Sequence, residues 1–246
     1  MLKVDIWNGV EVKEGHRHIA QIFVNGVIRC TGFIAKINDD KTVTIVLSAH
    51  CLTKWKILWR TYEVYTGSYG LKKGQKLGVK RMRQQPGFFK KKFGKDVGII
   101  VTDGEIDPEL HDFVIEAATI TDHGFESPKE CDAAGFGFYK SPKVDTDVLR
   151  KATFVLLTEP DCLKDYPAKV VGEVCASNIY RNGAKGDSGS PLLCDNVVFG
   201  VLSMVTRIPR FDRATIFQRL DDPDTRMFLI SEGLIPAYTT TPPEQQ

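Results

Sequence analysis

Short runs of β-branched and aromatic residues, each cut off by a Gly, Pro, Asn or Asp turn, constrain the fold of this chain more than any other feature. Ile19–Val24, Val43–Leu47, Val97–Val101, Thr153–Leu157 and Val197–Val205 are of this kind. Runs of that length and composition read as strands. Their spread over 246 residues points to an all-β chain built as barrels or a sandwich. The clearest helical signal falls at 222–233, where Asp222 can cap, Pro223 suits the first turn and Gly233 can end it. The tail from 236 to 246 is polar and proline-rich, and is expected to be flexible.

An apolar share of 42% is enough for a sizeable core. No apolar run is long enough to span a bilayer, and the first residues lack the hydrophobic stretch of an export signal. The expectation is a soluble chain without membrane contact, any export signal having been removed or never cloned. The six cysteines, Cys30, Cys51, Cys131, Cys162, Cys175 and Cys194, form an even set with no CxxC pair, which argues against a zinc ribbon. Composition leaves their pairing open, and equally allows buried thiols in a reducing compartment. No metal or cofactor is expected.

Charge is uneven along the chain. Between Leu71 and Lys95 lie Lys72, Lys73, Lys76, Lys80, Arg81, Arg83, Lys90, Lys91, Lys92 and Lys95, with no acidic residue among them. Such a cluster can bind a polyanion or an acidic protein, and it can equally be a solvated loop face. The absence of carboxylates argues against a calcium loop. Nucleic-acid binding rests on the charge alone, with no recognised module beside it, and is not expected.

The strongest chemical signal is Gly186-Asp187-Ser188-Gly189-Ser190-Pro191. A serine between two glycines can present its hydroxyl on a tight turn with backbone amides free to meet developing negative charge. By itself the stretch is also an ordinary turn. Two further pieces weigh against that plain reading. Ser48-Ala49-His50-Cys51 places a histidine at the end of an apolar run, and Asp96-Val97-Gly98-Ile99-Ile100 places a carboxylate at the mouth of another. A carboxylate in that position needs hydrogen-bond partners, and an imidazole N–H is one.

With SAHC, DVGII and GDSGSP in that order, the chain resembles the chymotrypsin/trypsin-like serine peptidases from Ile6 to about Gly233. The resemblance implies two six-stranded antiparallel Greek-key β-barrels and a C-terminal helix. It implies one peptidase domain over 6–235, with halves at about 6–115 and 116–220, the helix at about 222–233, and 1–5 as a leader or cloning remnant. It implies a Ser188, His50 and Asp96 triad, an oxyanion site at the amides of Gly186 and Ser188, and a supporting Ser203. Disulfides Cys30–Cys51, Cys131–Cys194 and Cys162–Cys175 follow from the same likeness, and with them a secreted protein. The family's bridge beside the specificity pocket is missing, because Ala184 stands where one of its cysteines belongs.

Ile6-Trp7-Asn8-Gly9 resembles the family's mature N-terminus, whose freed ammonium pairs with the aspartate before the nucleophile, here Asp187. Asp5 replaces the usual basic residue ahead of the cut, and Trp7 is bulkier than the usual valine. A retained Met1–Asp5 leaves Ile6 without a free amine, which implies a zymogen-like state. Asn182 aligns with the base of the specificity pocket, and Gly183, Val205 and Thr215 with its walls, Ala214 being the rival to Thr215. Without a carboxylate at the base, preference for Arg or Lys loses its electrostatic source. Valine and threonine narrow the slot in an elastase-like way, implying cleavage after small or modest apolar residues. Met204 replaces a family tryptophan. Protein or peptide substrates and protein inhibitors are the implied partners. The rival reading is a catalytically silent homologue that binds through the 72–95 surface.

Overall fold

The computed structural model describes residues 9–52, 60–88, 94–137, 147–169, 171–178, 180, 182–204 and 214–237. After a two-residue β1 (Val10–Glu11), the first half carries β2 (Ile19–Val24), β3 (Val27–Ile37), β4 (Val43–Leu47), β5 (Tyr62–Thr66), β6 (Gln75–Leu77), β7 (Val79–Gln84) and β8 (Gly98–Thr102). The second half holds β9 (Glu130–Gly135), β10 (Arg150–Leu156), α1 (Glu159–Asp165), β11 (Glu173–Ser177), β12 (Pro191–Cys194), β13 (Val197–Met204) and β14 (Thr215–Arg219). Helix α2 (Pro223–Ser231) follows.

Strands β2 to β8 form one antiparallel sheet in the order β6-β5-β2-β3-β4-β8-β7. The others run β1-β10-β11-β14-β13-β12-β9, and β9 also pairs with β10, so six strands close into a barrel with β1 added at β10. The expected all-β architecture of two barrel-like sheets with its C-terminal helix is present; among the described residues the second sheet closes and the first stays open as a half-barrel. Short strand β6 makes the first sheet seven-stranded and β1 does so for the second.

Three apolar clusters explain why the strands read as continuous apolar runs. Val43, Ile45 and Leu47 of β4 fill the first barrel with Ile22, Ile34 and Ile100. Val46, on the opposite face, joins Phe33, Ile99, Val198, Val201, Leu220, Phe228 and Leu229 between the two halves. Phe154, Phe199, Leu202 and Phe217 fill the second barrel. With both faces buried, the polar positions of a half-exposed strand disappear. At the β2–β3 hairpin, Asn25 and Gly26 both take positive φ (52° and 75°), as a two-residue primed turn requires.

Strand bounds moved slightly from expectation: 97–101 became Gly98–Thr102, and 153–157 became Arg150–Leu156. Helix α2 starts as expected, the Asp222 side chain accepting from the Thr225 amide and Pro223 taking the first turn. Helix α1 was not anticipated. Thr158 caps it by accepting from the Asp161 amide.

Candidate active site

Register brings the histidine and the carboxylate together. In the β4–β8 ladder, Leu47 pairs with Gly98. Just beyond Leu47 the chain turns through a short 3-10 segment, Ala49–Cys51, that carries His50, and Asp96 lies just ahead of Gly98 on the neighbouring strand. Asp96 is fully buried. Its Oδ1 accepts the His50 backbone N–H at 2.8 Å, while Oδ2 meets His50 Nδ1 and the Ser203 hydroxyl, each at 2.7 Å. Three donors meet the demand of a carboxylate removed from water. Because Asp96 accepts at both oxygens, Nδ1 of His50 is the donor there, and in the neutral tautomer this selects, the lone pair falls on Nε2.

The segment around Ser188 is held by the first half of the chain. Thr31 of β3 donates its N–H to the Ser188 carbonyl at 3.0 Å and its hydroxyl to the Gly186 carbonyl at 3.0 Å. The same hydroxyl accepts the Phe136 N–H at 3.0 Å. The Ser188 carbonyl lies 3.7 Å from Cys51 Sγ, so the serine turn sits beside the histidine turn. Gly186 and Gly189 adopt φ of 107° and 88°, and a Cβ on Gly189 would overlap the Thr31 carbonyl. Both positions therefore demand glycine. Ser188 is half-buried, and its amide and that of Gly186 donate to no backbone or side-chain acceptor among the described residues.

Asp187 points away from the Ser188 turn into a fully buried site. Its oxygens accept from Gly137 N at 2.7 Å and Ala184 N at 2.9 Å. Burial pushes its carboxyl up to about 7, against the pull of those two amides. A Cβ on Gly135 or Gly137 would overlap the carboxylate. Next to it, the Ser190 hydroxyl is buried without a hydrogen-bond partner among the described residues. Ile6, the expected partner of Asp187, lies outside the described residues, as does Val205.

Of the expected pocket residues, Asn182 is buried and its Oδ1 accepts the Thr215 hydroxyl at 2.5 Å. The Gly183 N–H donates to the same Thr215 oxygen at 3.3 Å. Thr215, rather than its rival Ala214, thus turns its side chain toward Asn182. Ala214 is held through its backbone, its N–H by Asp165 Oδ2 at 2.9 Å and its carbonyl by the Tyr166 hydroxyl at 2.6 Å. The three expected disulfides, Cys30–Cys51, Cys131–Cys194 and Cys162–Cys175, are all formed. Among the described residues, the one side-chain group close enough to share a metal is Cys30, His50 and Cys51. Its cysteines are bonded to each other, so they offer no thiolate.

The basic run is partly neutralised within the fold. Lys76 pairs with Glu63, Arg81 and Arg83 both reach Glu232, and Lys95 Nζ lies 2.7 Å from Asp224. Lys72 stands 5.7 Å over the Phe23 ring. Lys90, Lys91 and Lys92 lie outside the described residues.

Sequence reasoning missed Thr31, Ser48 and Gln218. Ser48 donates its hydroxyl to the Leu202 carbonyl at 2.6 Å, and Gln218 accepts the Asp96 N–H at 3.3 Å. Ser48 stands in the SAHC motif, whereas Thr31 and Gln218 carry no local signal, because their partners are remote in sequence.

The family model described as Trypsin matches residues 6–222. Similar curated proteins include human kallikrein-8, 30% identical over 92 residues, or 36% of this chain and 35% of that protein. Human kallikrein-5 is 26% identical over 168 residues, 65% of this chain and 54% of its own length. Trypsin-1 of Gadus morhua is 30% identical over 91 residues, 33% of this chain and 38% of its own. The matched regions thus span about a third to a half of these relatives. Among solved structures, mouse neuropsin, described as a serine protease expressed in the limbic system, superposes with a TM-score of 0.75 at 19% identity. That match covers 91% of this chain and 97% of neuropsin, and it shows the shared fold.

Proposed function

The chain belongs to the trypsin family, and from that premise we propose that it is a secreted serine endopeptidase working through Ser188, His50 and Asp96. The observation that carries this reading is the buried Asp96 carboxylate bonded at 2.7 Å to both His50 Nδ1 and Ser203. An imidazole held in that way exposes a basic Nε2, which is what a neighbouring serine hydroxyl needs. Ser188 Oγ attacks the scissile carbonyl carbon as His50 takes its proton. The amides of Gly186 and Ser188 receive the oxyanion. The C–N bond then breaks as His50 passes the proton to the leaving amine, and water releases the acyl group by the reverse sequence.

Activation follows from Asp187. A buried carboxyl with a raised proton affinity gains from a cationic partner, and the freed ammonium of Ile6 is the partner proposed. A chain that keeps Met1–Asp5 is then zymogen-like. Specificity for small or modest apolar residues is supported by the Thr215 hydroxyl tied to Asn182 where a basic substrate would need a carboxylate. Three disulfides fit an oxidising compartment, and no helix among the described residues is long and apolar enough to cross a membrane. The rival, a silent homologue that binds polyanions, draws less support. Four of its ten basic residues already face acids of the same chain.

The test is covalent. Protein starting at Ile6 should be labelled by a fluorophosphonate or sulfonyl fluoride probe at Ser188, and Ser188→Ala should abolish the signal. A correctly processed protein that takes no label would defeat the endopeptidase reading.

A further inference from the structure

Asp96 sits in a stretch that the sheet does not hold. Strand β8 begins at Gly98, and the Gly94–Asp96 segment ahead of it is gripped by side chains from the other half of the molecule. Glu173 of β11 and Gln218 of β14 are direct partners across the antiparallel ladder, so they project side by side. Glu173 Oε1 accepts the Gly94 N–H at 3.4 Å and Gln218 Oε1 accepts the Asp96 N–H at 3.3 Å. Between them Lys95 Nζ meets Asp224 of α2 at 2.7 Å. Gln218 is itself fully buried and cannot swing away: its Nε2 donates to the Gly172 carbonyl at 2.8 Å. Gly172 takes φ of 87°, and a Cβ there would approach that amide nitrogen to 3.0 Å.

We infer that Gln218 is a positioning residue for the Asp96 carboxylate, fixing the aspartate's backbone from the second barrel so that its side chain meets His50. The inference rests on the catalytic reading above. Asp96 takes its orientation from both ends: Ser203 and His50 hold the carboxylate, and Gln218 holds the amide of the same residue. An unpaired amide in this fully buried place would be costly, so losing the glutamine oxygen displaces the backbone until the N–H finds another partner. Gln218 meets neither Asn182 nor Thr215 by any hydrogen bond among the described residues, so substrate binding is left alone.

The experiment compares wild type with Gln218→Met, a change that keeps length and removes both polar ends. In the processed enzyme kcat should fall about tenfold, since small misplacements of catalytic groups are costly, with KM unchanged within twofold. In a Ser188→Ala background, the low-field proton signal of the His50 Nδ1–H···Asp96 bond should weaken or move upfield. An unaltered signal together with an unaltered kcat overturns the inference. A wild type that is inert toward substrate and probe overturns the catalytic reading instead, while the low-field proton still decides the role of Gln218. If the variant does not fold, hydrogen exchange of the wild type decides. An Asp96 amide protected like the β8 amides supports the grip, and one exchanging like an open loop refutes it.

Discussion

Thr31 and Gly186 stand 155 residues apart, yet the Thr31 hydroxyl donates to the Gly186 carbonyl at 3.0 Å while accepting the Phe136 amide. One side chain of the first half thereby fixes the loop that carries Ser188, the proposed nucleophile, on the second. Thr31→Val keeps the shape and removes both bonds, leaving two buried backbone groups without partners. The expected cost is about 1–3 kcal/mol for each, with slower probe labelling at Ser188. Denaturant unfolding and the labelling rate check this, and a variant matching wild type in both would show that the Thr31 bonds are dispensable.

Gly137 donates to Asp187 at 2.7 Å and leaves the room that the carboxylate fills. Gly137→Ala places a methyl on top of that carboxylate. Overpacking of this kind costs about 1–3 kcal/mol, and the displaced Asp187 should drag the Gly186 and Ser188 amides out of line. Thermal unfolding should show the loss, and labelling at Ser188 should slow at least about tenfold. Full reactivity in the alanine variant would mean that Asp187 does not organise the oxyanion site.

Stability should depend on pH through buried His18 and half-buried His16. His16 and His18 have ring centroids 5.9 Å apart. Burial, with Lys151 beside it, lowers His16 to about 4, and burial, with His16 beside it, lowers His18 to about 3. Both are depressed below the unfolded value of 6.5, so the unfolded chain binds more protons. Their contribution is complete above 6.5 and is lost as pH falls toward 4 for His16 and toward 3 for His18. In the chain that keeps Met1–Asp5, Asp187 has the opposite sign: raised to about 7, it favours the fold at low pH and loses that advantage as pH rises. Two protons against one leave a net fall on acidification between about pH 6 and 4.5, near 1.4 kcal/mol per pH unit for each net proton. Relative to wild type, a His16→Asn/His18→Asn variant should show a flatter or reversed slope in urea melts across that window. Parallel slopes would refute the assignment.

The pocket reading predicts a change in selectivity. Thr215→Gly removes the hydroxyl bonded to Asn182 and opens the wall beside it. In a peptide library, cleavage after larger apolar residues should gain about tenfold relative to alanine, the scale on which one or two methylenes are discriminated. A wild-type preference for Arg or Lys would contradict the pocket assignment outright.

How much of this was legible beforehand follows from where each signal resides. His50 and Asp96 could be read because each ends an apolar run, and strand ends are where a register brings residues together. The strands themselves were visible as β-branched runs, blurred at their ends where Gly98 and Arg150 carry no apolar side chain. Helix α1 was not visible: seven residues with one buried side chain give no periodicity. What anchors it is tertiary, namely the Cys162–Cys175 bridge and the bonds of Asp165 and Tyr166 to Ala214. Gln218 was illegible for the same reason, its partner lying 122 residues away.

The pairing of Arg81 and Arg83 with Glu232, a side chain only 2% exposed, changes what the cationic stretch presents to the outside. Carboxylates imported from Glu63, Asp224 and the far end of α2 cancel part of its field close to the source. An approaching anion therefore feels a weaker attraction than a count along the chain suggests. Those arginines act first as rivets, fastening the terminal helix to the wall of the opposite barrel.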